Sequence, residues 1–169
     1  MSAHHSARNF RGGACQSVLD SNHVMQSETF QIHPFVEKDS SALIGIYNSA
    51  RKSAGCYLLE DTSWDNFEKQ IEGEVILVAN CELRILGFVS VWEAENFLHH
   101  LYVSPEYQGR GIGSSLIRVC KEKFGLPLSL KCDRCNNKAR EFYIRNGWIV
   151  RKEGVGEYGP WDHIFLEEA

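Results

Sequence analysis

The chain has 169 residues, 43% hydrophobic and 24% charged, with a formal net charge of −4. That composition fits one soluble domain with a real core and excludes disorder throughout, while the acidic balance argues against a nucleic-acid surface. No apolar run approaches the ~20 residues that span a membrane, and the N-terminus lacks a signal-peptide core, so a cytoplasmic protein without membrane contact is expected.

Residues 1–27 are rich in Ser, His, Asn and Gly without sustained periodicity. They read as a mobile tail ahead of a single domain over 28–169. Phe30 to Phe35 alternates and reads as a first strand, with Pro34 putting its end near an edge. Asp39 is placed to cap a helix that carries Leu43, Ile46, Tyr47 and Ala50 on one face and stops at Gly55. A loop with Tyr57, Glu60 and Asp61 leads to a short helix from Thr62, with Trp64, Phe67 and Ile71 inward and Gly73 closing it. Val75–Ala79 and Ile85–Val91 are strands joined by a tight turn. Glu93 to Asn96 turns the chain into a strand ending at Val103.

The stretch Gln108-Gly-Arg-Gly-Ile-Gly-Ser114 comes next and opens a helix with Ile112, Leu116, Cys120 and Phe124 at a spacing of four, ended by Gly125. Leu128–Cys132 is a strand, Asn136–Asn146 a helix ended by Gly147, and 148–150 and 164–166 are two closing strands. A strand–helix–strand unit around the glycines makes its two strands parallel, while the other strands follow through short turns and are antiparallel. The fold class is therefore α/β in the sense of a mixed α+β sheet: mostly antiparallel, one parallel pair, helices on both faces.

Six cysteines, Cys15, Cys56, Cys81, Cys120, Cys132 and Cys135, are present. Several fall in apolar periodic segments and read as small buried hydrophobes rather than a disulfide framework. Cys132 and Cys135 have zinc-ligand spacing, but no second pair completes four ligands, so no metal is expected.

A strand, a glycine-rich turn and a helix start can hold phosphate. Glycines 109, 111 and 113 let a ligand approach the backbone, and the free N–H groups and dipole of the helix favour an anion there. The same turn is also a common plain connector. A dinucleotide fold needs Gly-x-Gly-x-x-Gly, which is absent, as is Gly-x-x-x-x-Gly-Lys.

The spacing Gln108-x-x-Gly111-x-Gly113 resembles the coenzyme A pyrophosphate loop of the GNAT superfamily of N-acetyltransferases. Downstream, Asn136-x-x-Ala139-x-x-Phe142-Tyr143-x-x-x-Gly147-Trp148 resembles a second pattern of that family, at the usual distance. The resemblance implies a GNAT fold with acetyl-CoA as co-substrate, wedged where the two parallel strands splay apart. It implies that backbone N–H groups from Gly109, Arg110, Gly111, Ile112, Gly113 and Ser114 hold the pyrophosphate beside Gln108. Leu101, Tyr102 and Val103 would offer main-chain partners to the pantetheine arm, and Asn136 would cap its helix and contact the coenzyme. Arg110 either reaches a phosphate oxygen or is solvated.

Chemically, the resemblance puts Tyr143 beside the coenzyme sulfur. A phenol of pKa near ~10 can protonate a departing thiolate whose thiol has a pKa around ~8.5. The alternative is that Phe142 and Tyr143 are only the apolar face of their helix. An attacking alkylamine must lose a proton, and some relatives use a Glu in the strand before the loop for this; the gapless counterpart here is Phe97. Strand alternation puts Glu95, His99 and Leu101 on the face of Phe97, making His99 and Glu95 the candidate bases, with His100 on the opposite face. The acceptor site would lie between the loop after the first helix and the final hairpin. Those segments carry Glu60, Asp61, Glu153, Glu157 and Asp162, with Tyr57, Trp161 and His163 among them; they either cradle a small cationic amine or are solvated. The expected activity is acetyl transfer to a primary amine of a small molecule, by direct attack in a ternary complex. A non-catalytic coenzyme A-binding module is the rival, nucleotide binding a more distant one, and a homodimer is left open.

Overall fold

The computed structural model describes residues 10–15, 28–56 and 60–168. In chain order these form β1 (Phe10–Cys15), β2 (Glu28–Pro34), α1 (Ser40–Ala54), α2 (Trp64–Gln70), β3 (Val75–Cys81), β4 (Arg84–Trp92), β5 (Phe97–Val103), α3 (Ile112–Phe124), β6 (Leu128–Asp133), α4 (Asn137–Arg145), β7 (Ile149–Gly156) and β8 (Gly159–Leu166). The strands make one sheet in the order β1-β2-β3-β4-β5-β6-β8-β7. Every neighbouring pair is antiparallel except β5 and β6, which are parallel, as the crossover through α3 requires. No helix among the described residues is long and apolar enough to cross a membrane.

The helices form where the periodicity puts them. In α1 the stripe Leu43, Ile46, Tyr47 and Ala50 is buried, and Gly55 ends the helix at φ 74°. Asp39 precedes α1 but does not cap it with its side chain; its Oδ2 accepts from the Val36 N–H at 3.2 Å and closes the 3-10 turn before the helix. In α2 the cap is Ser63, which accepts from the Asn66 N–H. In α3 Ile112, Leu116, Ile117, Val119 and Cys120 are buried. The helices split between the two faces. Helices α1 and α2 cover one with Leu43, Tyr47 and Phe67 against Val78 and Phe88. Helix α3 covers the other with Ile112, Leu116 and Cys120 against Leu98, Leu128 and Ile164, and α4 adds Tyr143 beside Trp148.

Three differences from the sequence reading matter. Residues 10–15 fall within the segment expected to be a tail, yet pair antiparallel with β2, with an irregularity between Arg11 and Ala14. Gly12 and Gly13 break the alternation that would have marked a strand, and with β1 in place Pro34 ends a strand that is not at the sheet edge. Second, the closing strands are far longer than expected and form a hairpin from Ile149 to Leu166. Strand β7 is an edge exposed along most of its length, so solvent on both faces leaves no apolar alternation to read. The hairpin packs through Gly154, where a Cβ would overlap the Trp161 ring. Third, Cys56 and Cys135 are joined in a disulfide across 79 residues. Cys81, Cys120 and Cys132 are the buried hydrophobes expected. Burial pushes the thiols of Cys120 and Cys132 up to about 12. Pairing at such a separation has no local signature; the fold creates it by bringing the end of α1 to the start of α4.

Candidate active site

The site is built where the sheet opens. Strands β5 and β6 share a single bridging pair, Phe97 with Ser129, fixed by a bond from the Ser129 N–H to the Asn96 carbonyl (3.0 Å). Beyond it the strands part, and the downstream half of β5 keeps a hydrogen-bonded neighbour only on the β4 side. A cavity of about 570 Å³ lies along this gap, walled by β5, the glycine loop, the start of α3, α4 and the end of α1.

Glycine makes the loop possible. Gly109 and Gly111 have φ of 76° and 81°, a region costly for other residues. Gln108 ties the loop to the strand by donating from Nε2 to the Val103 carbonyl (3.1 Å). The Ser115 N–H bonds the Gly111 carbonyl at 3.0 Å, so the N–H groups of Ile112, Gly113 and Ser114 lie ahead of the α3 ladder. Gly113 serves packing instead. A Cβ there would meet the Phe142 ring at 3.2 Å, so its absence lets α4 close onto α3.

Of the residues singled out from sequence, Leu101, Tyr102, Val103, Gln108, Gly109, Gly111, Ile112, Gly113, Ser114, Asn136 and Tyr143 all line this cavity. Asn136 caps α4 by accepting from the Ala139 N–H (3.2 Å). Tyr143 is 7% exposed and sits edge-on to Phe142 and Trp148. Arg110 is not in the lining; its guanidinium lies over the Tyr107 ring, 5.1 Å from the centroid. Sequence reasoning missed Arg51, Lys138 and Arg145, cations that share the cavity wall. Arg51 donates to the Tyr47 hydroxyl (2.7 Å) and lies near the Tyr158 ring, so it links α1 to the β7–β8 turn. A fourth-turn position on an amphipathic helix gives no hint of this.

The histidines depart from the expected alternation. In β4, Ser90 pairs with His100 and the next residue, Val91, pairs with Leu98, which leaves His99 as an extra residue in a β-bulge. Leu98 and Leu101 consequently share the α3 face. His100 turns to the α1–α2 face against Tyr47, Phe67 and Tyr102. The rings of His99 and His100 stack 4.2 Å apart instead of pointing to opposite faces. Burial, then the neighbouring His99 and Arg51, lowers His100 to about 3, so it is a neutral core residue. His99 is 43% exposed at its side chain and its Nδ1 meets Glu74 Oε1 at 2.6 Å. Glu95 is exposed, in the 3-10 turn before β5 rather than on the strand.

The acidic acceptor lining does not assemble as expected. Asp162 is fully buried and held by Arg134 Nε (2.6 Å) and Arg140 Nε (2.8 Å). Burial alone would raise its carboxyl; the hydrogen bonds from Arg140 and Arg134 outweigh that and hold it below the usual range. Alternation along β8 turns Asp162 to the α4 side. Glu153 pairs with Arg134 and Asp61 with Lys52. Glu60 and Glu157 are exposed, Trp161 and His163 are half-buried on β8, and Tyr57 lies outside the described residues. Cys132 is buried and Cys135 is bonded to Cys56, so the CxxC is not a ligand pair. Among the described residues no group of three or more His, Cys, Asp or Glu side chains is placed to hold a metal ion.

Comparison with known proteins agrees with this architecture. Residues 72–150 match the model of the acetyltransferase (GNAT) domain. No curated protein matches the chain by sequence. Among solved structures, the GCN5-related N-acetyltransferase of Rhodopseudomonas palustris superposes with a TM-score of 0.71 at 20% identity, over 88% of this chain and 100% of that one. The PaiA N-acetyltransferase of Thermoplasma acidophilum, in complex with coenzyme A, gives 0.67 at 20% identity, over 82% and 99%. YncA of Salmonella typhimurium, with its cofactor acetyl-CoA, gives 0.63 at 18% identity, over 82% and 93%. At such identities the likeness establishes the fold: the chain carries the GNAT fold, and within it residues 72–150 match the acetyltransferase (GNAT) domain.

Proposed function

We propose that the protein is an acetyl-CoA-dependent N-acetyltransferase that acetylates a primary amine of a small molecule by direct attack in a ternary complex. One observation carries this reading. A single cavity joins the free N–H groups at the start of α3, the β5 edge left open by the splay, and the Tyr143 side chain. Acetyl-CoA supplies an activated acyl thioester. The N–H groups of Ile112, Gly113 and Ser114, with the loop glycines, suit its pyrophosphate. Lys138 adds positive charge at the cavity wall, where Arg145 is paired with Glu141, and main-chain groups of Leu101 to Val103 suit the pantetheine arm. PaiA with coenzyme A and YncA with acetyl-CoA, both of this fold, support the same ligand here.

Holding amine and thioester together provides much of the rate. N–H groups of β5 polarise the thioester carbonyl, Tyr143 gives its proton to the departing sulfur, and His99 takes the proton that the attacking ammonium must lose. Neither base candidate lines the cavity, and His99 is the nearer of the two along β5. It sits on the opened strand two residues before Leu101 and has a carboxylate partner, whereas Glu95 lies in the exposed preceding turn.

The test is acetyl transfer from acetyl-CoA to a panel of polyamines, amino acids, aminoglycosides and N-terminal peptides, read as acetylated acceptor by mass. Acetylation of one amine class is expected. Tight acetyl-CoA binding with every amine untouched would favour a binding module without turnover, and no binding would overturn the reading.

A further inference from the structure

His99, two residues along β5 from the cavity wall at Leu101, meets a buried acid that the reaction as described leaves unused. Glu74 lies in the turn between α2 and β3, pinned by a bond from its own N–H to the Ile71 carbonyl (3.0 Å). Its side chain is 4% exposed. One carboxylate oxygen contacts His99 Nδ1 at 2.6 Å, and the other is buried without a hydrogen-bond partner among the described residues. An anion in that setting is costly unless a donor or a positive charge stands against it. The titratable groups against His99 are Glu74 from this turn and His100 from its own strand, whose imidazole also feels the charge of Arg51 of α1, and the Phe97 ring lies 6.2 Å away.

We propose that Glu74 is a positioning residue that holds His99 in the tautomer and orientation of a general base. This rests on the assignment of His99 under the proposed function. The carboxylate can only accept, so His99 Nδ1 carries the hydrogen of the contact, and the lone pair of the neutral ring is on Nε2. Nε2 takes one proton from the acceptor ammonium, and the freed nitrogen lone pair forms the C–N bond at the thioester carbonyl. The C–S bond then breaks with Tyr143 protonating the sulfur, the second N–H proton restores the Tyr143 phenol, and the imidazolium faces the Glu74 carboxylate. The bulge and the stacked His100 ring fix the plane of the imidazole. Glu74 stands 25 residues upstream of His99 and reaches it through the turn that feeds β3, not along β5.

Glu74→Gln, His99→Ala and the double variant would be assayed with acetyl-CoA and the fastest amine of the panel. Glu74→Gln is expected to lower kcat about 10- to 100-fold, leave KM for acetyl-CoA unchanged, and cost nothing further in the His99→Ala background. Unchanged kcat in Glu74→Gln beside a slowed His99→Ala, or equal losses in both backgrounds, would overturn the positioning role while leaving the base in place. Full activity in His99→Ala would instead remove the base, and this role with it. Should Glu74→Gln fail to fold, ¹⁵N-histidine spectra of the unaltered protein decide: neutral His99 should be the Nδ1–H tautomer, and an Nε2–H tautomer overturns the proposal.

Discussion

Replacing Asp162 with Asn tests whether the acidic residue of the final hairpin is structural. The carboxylate is fully buried, with Arg134 at 2.6 Å and Arg140 at 2.8 Å. Stripping one partner from a buried ion pair costs about 3–5 kcal/mol when the remaining charge stays dry. Here the arginine side chains are 38% and 44% exposed, so water reaches them and the lower part of the range applies. Counting two charge-assisted bonds partly replaced by water gives about 2–3 kcal/mol. For a domain of this size that is a Tm drop of roughly 5–10 °C. The sign with pH follows from the lowered Asp162 carboxyl. Its stabilisation is complete above the unfolded value near ~3.9 and is lost as pH falls through the folded value. Melting curves by circular dichroism at neutral pH and at successively lower pH would show the gap between unaltered protein and Asp162→Asn closing under acid. A variant that melts within about 1 °C of the parent at neutral pH, or a gap that persists in strong acid, would refute the reasoning.

Tyr143→Phe should keep acetyl-CoA affinity by calorimetry while turnover falls by up to ~10²-fold; unchanged turnover would take Tyr143 out of the mechanism. Gly113→Glu puts a side chain where a Cβ already meets Phe142 at 3.2 Å and sets a carboxylate at the anion end of α3. Coenzyme binding should be lost with the fold intact, and a folded variant with normal affinity would refute the loop's role. Cys56→Ser releases a closure of 79 residues, an upper bound of about 4.5 kcal/mol in the chain-entropy account. Its thermal midpoint should fall and cease to respond to reductant; the same response to reductant in both proteins would show that Cys56 is not the bonded thiol.

Legibility from sequence followed how local each signal was. Helix α3 could be placed because its apolar residues repeat every fourth position and glycines bound it, all within the helix itself. The glycine loop was equally plain, since positive φ and a helix start demand glycine at set offsets. Strand β1 was missed because two glycines erase its pattern and only its pairing with β2 makes it a strand. Of the β7–β8 hairpin only the ends, 148–150 and 164–166, read as strands, because β7 presents charged and glycine residues to solvent and its further strand character comes from the ladder with β8. Cys56, Arg51 and Asp162 share that limit, since their roles depend on segments distant in the chain.

The proposed base shows the consequence for function. In Leu98-His-His-Leu-Tyr-Val103, alternation alone assigns His99 to the face of Leu101 and His100 to the other. That inference holds only if β5 pairs with β4 without interruption, and the shift between Ser90 and Val91 breaks it. One unpaired residue turns His100 into a packed, neutral core side chain and leaves the His99 ring beside a buried carboxylate from another turn. The partner strand sets the register, and the register decides which imidazole is packed in the core and which stays exposed beside Glu74. A Glu74–His99 contact therefore implies the bulge as much as the residues themselves. Deleting His99 would close the bulge, make Ser90–His100 and Val91–Leu98 consecutive rungs of a plain ladder, and remove both the proposed base and the partner of Glu74 at once.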